Sequence, residues 1–325
     1  MGDSIRKFTE LPLQNQPALG VRVICDIPPT SDLENIFIDL TGTVQLTTGS
    51  SGLLSDGIPN VIEAVELIGD GRDTIASLPF YQVVNGNMFR RKWGNVPLVT
   101  QPGLGIAVNA FEVTGMLDLA AFGAIRPKDS SLRENRYKTL QLAFRFSTSW
   151  VGVYGGAFVA SATTFNLIVK ARETIELVSA DGTASAPIFR PQFSARDDVV
   201  SAAITRQRFR LTPEQALRGI SMRVLTTAGV LSDAVLSRVR VYVGKDLRMD
   251  LSAASLKNGY KYDAAGAIPT GWYFLDFADG EGATDKLSDC LDLRQAITQG
   301  ADAYLEYDTL AGGTFNIAQY GFIRQ

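Results

Sequence analysis

The chain contains no histidine in 325 residues. Histidine is the commonest general base near neutral pH and the commonest transition-metal ligand, so its absence excludes Ser-His-Asp and Cys-His chemistry. Cysteine is nearly missing as well. Cys25 and Cys290 are too few for a zinc cluster and lie far apart in sequence. Neither has an immediate cationic neighbour to depress its pKa, and both read as reduced, buried thiols. An excess of one charge is also lacking: 31 Lys and Arg stand against 34 Asp and Glu, a formal charge of -3. No basic surplus exists to neutralise a phosphate backbone over a broad surface, so direct, sequence-specific nucleic-acid binding is not expected.

Long apolar runs are scarce. Met1 to Glu10 has Arg6 and Lys7 but no apolar core behind them, unlike a signal peptide. Phe146 to Val169 is uncharged and places Gly152 and Gly156 in GxxxG spacing, yet Ser147, Thr148, Ser149, Ser161, Thr163, Thr164 and Asn166 dilute it. Its β-branched and aromatic end reads as a strand, not a membrane span.

What is abundant is period-two alternation bounded by Gly, Pro, Asn and Asp. Leu140, Leu142, Phe144 and Phe146 alternate with Gln141, Ala143 and Arg145; Val239, Val241 and Val243 alternate with Arg240 and Tyr242; Ile36, Ile38 and Leu40 alternate with Phe37 and Asp39. Val61 to Ile68 and Phe165 to Val169 are nearly continuous apolar runs, as buried strands can be. The clearest helix start is Thr212, followed by Pro213 and Gln215 in capping-box spacing.

The second half echoes the first. LTTGSSGLLSD (Leu46 to Asp56) is matched by LTTAGVLSD (Leu225 to Asp233), each followed by an apolar strand ending at a glycine, Gly69 or Gly244. Ser77-Leu78 is matched by Ser255-Leu256, and Thr164-Phe165-Asn166 by Thr314-Phe315-Asn316. Ser31 with Glu34 and Thr212 with Gln215 precede the two LTT segments. Five matches in one order imply an internal duplication with a domain-sized period, unlike the short periods of propellers and solenoids. The expected organisation is an arm over 1–20, a first domain over 21–175, a turn-rich linker over 176–194 and a second domain over 195–325.

An antiparallel sheet must hide one face and protect its edges, which a jelly-roll sandwich does within a domain of this length. The expected fold class is all-β: two tandem, antiparallel, eight-stranded jelly rolls with short helices in the connections. Asn35 to Thr48 (NIFIDLTGTVQLTT), Gly57 to Leu78 (GIPNVIEAVELIGDGRDTIASL) and Arg126-Pro127 to Leu142 resemble the N-terminal jelly roll of the double jelly-roll major capsid proteins of tailless, icosahedral, membrane-containing phages, the hexon-like lineage. The resemblance covers about the first half of the chain and rests on the internal echo thereafter. It implies a coat subunit, not an enzyme, that assembles as a homotrimer with six alike lobes into an icosahedral virion shell built in the host cytoplasm. Its implied partners are neighbouring trimers, minor capsid and vertex proteins, and an internal lipid membrane. No catalytic, cofactor or metal site is implied. Arg6, Lys7 and Phe8 in the arm are the expected membrane or inter-capsomer contact. The long loops Phe80 to Leu104 and Lys257 to Gly271, with Asn87, Trp93, Tyr260 and Tyr262, are the expected exterior or trimer contacts.

Other signals weigh less. Glu63 and Glu66 stand three apart, which on a regular strand means opposite faces and no glycosidase pair. Asp70, Asp73, Asp197, Asp198, Asp276 and Asp279 lack EF-hand spacing and read as solvated turn acids. Gly69, Gly71, Gly103, Gly105, Gly155 and Gly156 form no nucleotide-binding motif and read as turn residues needing positive φ. Trp93, Trp150 and Trp272, with Tyr260, Tyr262 and Tyr273, read as core or interface packing. A carbohydrate-binding two-domain β-sandwich, such as a receptor-binding spike, is the alternative in which such aromatics form sugar platforms.

Overall fold

The structure, a computed structural model, describes residues 4–28, 32–85, 98–119, 132–133, 137–176, 189–213, 215–263, 268–277, 290–298 and 300–324. Contacts divide the chain into two units: Met1–Met88, Pro97–Phe122 and Arg126–Pro191 form the first, and the second is chiefly Gln192–Gln325.

In the first unit the alternating segments form eight principal strands: β1 (Ser4–Leu11), β2 (Arg22–Ile27), β3 (Asp32–Thr48), β4 (Ile62–Gly69), β5 (Asp73–Leu78), β6 (Val108–Asp118), β7 (Leu140–Phe146) and β8 (Val159–Glu176). They lie in two antiparallel sheets, ordered β1-β8-β3-β6 and β2-β7-β4-β5. Each strand hides one face, as period two requires. Val23, Cys25 and Ile27 of β2, Ile36, Ile38 and Leu40 of β3, and Leu142 and Phe144 of β7 are all buried. Near the β3–β4 end, Trp150 stacks on Phe165 at 5.7 Å and meets Phe111 edge-on. A short helix, α1 (Phe80–Asn85), follows β5.

The second unit holds β9 (Phe189–Val200, whose first three residues count with the first unit), β10 (Gln207–Arg210), β11 (Gln215–Thr226), β12 (Leu236–Val243), β13 (Asp246–Ser252), β14 (Trp272–Asp276), β15 (Ala303–Thr309) and β16 (Gly313–Arg324). Their sheets are ordered β9-β16-β11-β14 and β10-β15-β12-β13. Adding eight to every strand number of the first unit reproduces the second. Both units are therefore jelly rolls of one topology. Helix α2 (Ala253–Asp263) follows β13, and α3 (Arg294–Thr298) precedes β15. The second core gathers Leu217, Ile220, Met222, Val239, Val241, Leu305, Tyr307, Phe315 and Ile317.

The echo falls on equivalent elements with one exception. Both LTT segments close the third strand of their roll and lead into the fourth, and both TFN triplets lie on the last strand. Ser77-Leu78 ends β5, whereas Ser255-Leu256 lies in α2, so that match is coincidental.

Three expectations are corrected. The helix start at Thr212 is a strand start: Gln215 opens β11, as Glu34 lies in β3, and Thr212 N–H is bonded to Gln319 Oε1 at 2.8 Å. Ser31 lies outside the described residues. The arm is a strand, since β1 runs antiparallel to β8 from Ser4↔Glu176 to Leu11↔Val169 and so belongs to the first roll. The stretch 176–194 contains the start of β9, and the second roll begins there instead of at 195.

Candidate assembly surfaces

Among the described residues, many titratable groups are held in ion pairs and hydrogen bonds along the sheets. Arg145 and Arg22 take Glu63 and Glu66 at 3.2 and 3.4 Å. A bulge opposite the Arg145/Phe146 step breaks the strict alternation of β4, so Glu63 escapes the core face on which sequence spacing alone would have put one of the pair. Four of the turn acids are not merely solvated. Asp70 accepts from the N–H groups of Lys138 and Thr139, Asp73 from Tyr137 and Arg190, Asp197 from Asn316, and Asp198 from Tyr307 at 2.6 Å. Burial, then the Asp198 bond, raises the Tyr307 hydroxyl pKa. Among the described residues no three His, Cys, Asp or Glu side chains are placed to hold a metal ion. Burial pushes the Cys25 thiol up to about 12; Cys290, expected to be buried, is partly exposed. Of the six glycines read as turn residues, only Gly71 and Gly156 have positive φ.

The surfaces are more informative than the interior. The outer face of the β10-β15-β12-β13 sheet carries three cross-strand rows. One holds Leu247, Tyr242, Tyr304 and Arg210, with the two tyrosines stacked at 4.9 Å and Arg208 over Tyr304 at 4.6 Å. The next rows hold Arg240 with Glu306, and Arg238 with Asp308. Arg240 donates to both oxygens of Asp308 at 2.7 and 3.1 Å and to Glu306 at 3.3 Å; Arg238 forks onto Asp250 at 2.6 and 2.7 Å. These bonds hold Asp308 and Asp250 below the usual carboxylate range. The sequence pattern had shown Arg240 and Tyr242 as the polar side of a strand. That Glu306 and Asp308 stand opposite follows only from the pairing of β12 with β15.

At the tip of the first roll the surface is apolar. The end of β3 is bonded to Ala107, and the loop after it to Leu104 on one side and Val153 on the other. Ile106, Val151, Val108 and Val159 are 52% to 70% exposed there. Large aliphatics left this exposed are candidates for an interaction surface. In the second roll a clamp joins two loops: Asp233 accepts from Gly271 N–H and pairs with Lys257, which lies over the Tyr273 ring.

The residues expected at contacts separate into three groups. Arg6, Lys7 and Phe8 lie on β1; Lys7 pairs with Glu173 at 4.0 Å, and Phe8 is 64% exposed beside Phe37. Tyr260 and Tyr262 lie on α2, so the loop expected over Lys257 to Gly271 begins as helix, just as Phe80 to Leu104 begins with α1. Asn87 and Trp93 lie outside the described residues. Trp150, Trp272 and Tyr273 are buried, in line with their reading as packing residues.

Two jelly rolls of one strand order in a single chain define the fold as a double jelly roll. Solved structures share it. A chain of Sulfolobus Turreted Icosahedral Virus aligns with TM-score 0.70 at 16% identity, over 99% of this chain and 91% of its own. The major capsid protein P2 of bacteriophage PM2 aligns with TM-score 0.64 at 13% identity, over 99% and 98%, and a chain of the PBCV-1 virus capsid with 0.65 at 12%, over 99% and 94%. No protein-family model and no curated protein sequence matches the chain.

Proposed function

We propose that the protein is a major capsid protein: a non-enzymatic coat subunit that associates as a homotrimer and tiles an icosahedral virion shell. The observation that carries this reading is the repetition of one eight-stranded roll within one chain. Three such chains present six alike lobes, so a closed three-fold ring can occupy hexagonal lattice positions. The near-full-length likeness to viral capsid chains supports it. The exposed aliphatics at the tip of the first roll supply the apolar cores that subunit interfaces need. Minor capsid and vertex proteins and an internal lipid membrane are the further partners of this reading. Because Arg6, Lys7 and Phe8 sit on a paired strand, they would act from a fixed sheet edge and not from a free arm.

Light scattering and electron microscopy of the purified chain test it. Trimers that grow into sheets or closed shells are expected. A persistent monomer whose melting temperature rises with added glycan would replace this reading with the carbohydrate-binding one, which the burial of Trp150 and Trp272 already weakens.

A further inference from the structure

Strands β5 and β13 occupy the same place in their rolls, and their registers agree residue for residue. Against β4, Asp73 pairs with Gly69 and Thr74 with Ile68; Ile75 is then skipped, and Ala76 pairs with Leu67. Against β12, Asp246 pairs with Val243 and Leu247 with Tyr242; Arg248 is skipped, and Met249 pairs with Val241. Each strand thus opens on an aspartate and bulges at its third residue.

The far sides of the two strands differ. Within the first unit, residues 189–191 at the start of β9 lie beside β5, where Arg190 Nη1 is 2.6 Å from Asp73 Oδ2 and 3.0 Å from the Tyr137 hydroxyl. No strand lies on the far side of β13 among the described residues, and six of its seven residues are exposed. The counterpart of β9 in the first roll is β1, which likewise ends its sheet with one side open. Open edges of this length invite pairing unless something covers them.

We infer that a second copy of this chain covers both: β1 of one copy pairs along β13 of the next. Charge complementarity favours this occupant. Arg190, the second residue of β9, meets Asp73, the first of β5; by the same alignment Asp246 meets Ile5, the second residue of β1, with Arg6 and Lys7 the next two along the strand. Asp246 is 58% exposed, and its ion-pair partner among the described residues is Arg248, two residues along its own strand. The contact joins different surfaces of the two copies, so it propagates head to tail, and a rotation that closes makes it a ring. Closure at three copies rests on the coat reading; the edge pairing does not.

Carbodiimide coupling of the full-length chain, mixed from isotopically light and heavy copies and read by mass spectrometry, tests the pairing directly. The Lys7–Glu173 pair supplies an internal control within each copy. The expected result is a further mixed-isotope link from Lys7 to Asp246 or Asp250. In parallel, Asp246→Arg should weaken self-association about 5-fold per contact, and Arg6→Glu in the same chain should restore it. Oligomers whose Lys7 links only to Glu173, or a chain that stays monomeric, overturn the inference. Shells lacking the β1–β13 link sink it while leaving the coat reading intact. Links without shells do the reverse.

Discussion

Replacing Arg240 by alanine probes the charged face of the second roll. The side chain is 15% exposed, forks onto Asp308 and also reaches Glu306, itself 3% exposed. Breaking a buried pair by removing one partner costs about 3–5 kcal/mol, and an exposed pair contributes at most about 1 kcal/mol. Here Glu306 keeps Arg208 at 3.3 Å and Asp308 keeps the Arg206 N–H at 2.8 Å. The expected loss is therefore intermediate, about 2 kcal/mol, or a fall of about 4–8 °C in melting temperature. Urea unfolding should show a lower midpoint at unchanged slope. The loss should also depend on pH in one direction. Arg240 lowers the folded-state pKa of Asp308, so that contribution is present above the unfolded value of about 3.9 and disappears as pH falls through the lower folded value. Wild type and variant should differ fully at about pH 6 and converge as the pH falls below the unfolded value of about 3.9. A difference below about 0.5 kcal/mol at neutral pH, or one that persists in acid, would refute the assignment of the network.

Phe315→Ala should cost about 3–5 kcal/mol, because the ring is fully buried against Tyr307 at 4.6 Å; the urea midpoint measures it. Phe165→Ala, its echo, should cost less, since that ring is only partly buried over Trp150, and equal losses would count against the packing described. Gly42→Ala should cost about 2 kcal/mol by thermal melting, since a Cβ there would strike the Thr164 carbonyl oxygen and the Phe111 ring across the sheet. Ellman's reagent should modify one thiol per native chain, Cys290, and reach Cys25 only after unfolding, because burial holds the Cys25 thiol protonated.

Much of the fold was legible because its signals are local. The alternation at Leu140–Phe146 and Val239–Val243 marks strands with one wet face, and both were placed correctly. Signals that local sequence shares between structures were misread. Thr212-Pro213 with Gln215 spells a helix cap, but two-sided burial of Gln215 to Val224 makes that segment an inner strand. Arg6, Lys7 and Phe8 looked like part of a separate arm because nothing in an eight-residue stretch reveals that residues 169–176 offer a pairing edge. The bulges at Ile75 and Arg248 were also illegible, and they are what align the two edge strands.

The two rolls share a strand order yet have diverged at their surfaces, and that divergence bears on how copies can meet. Residues 41–55, 98–111 and 146–169, which build the tip of the first roll, contain no charged residue. The outer sheet of the second roll presents Arg208, Arg210, Arg238 and Arg240 against Asp250, Asp302, Glu306 and Asp308. Identical lobes would allow first-to-first and second-to-second contacts as readily as mixed ones, and such isologous pairs end at dimers. A charged lattice placed against an uncharged tip would desolvate its ions without partners, which is costly. An edge opening on Asp246 placed against one bearing Arg6 and Lys7 meets opposite charge. Of these pairings, only the opposite charge of the two edges favours contact between unlike surfaces, the head-to-tail kind that can build a ring.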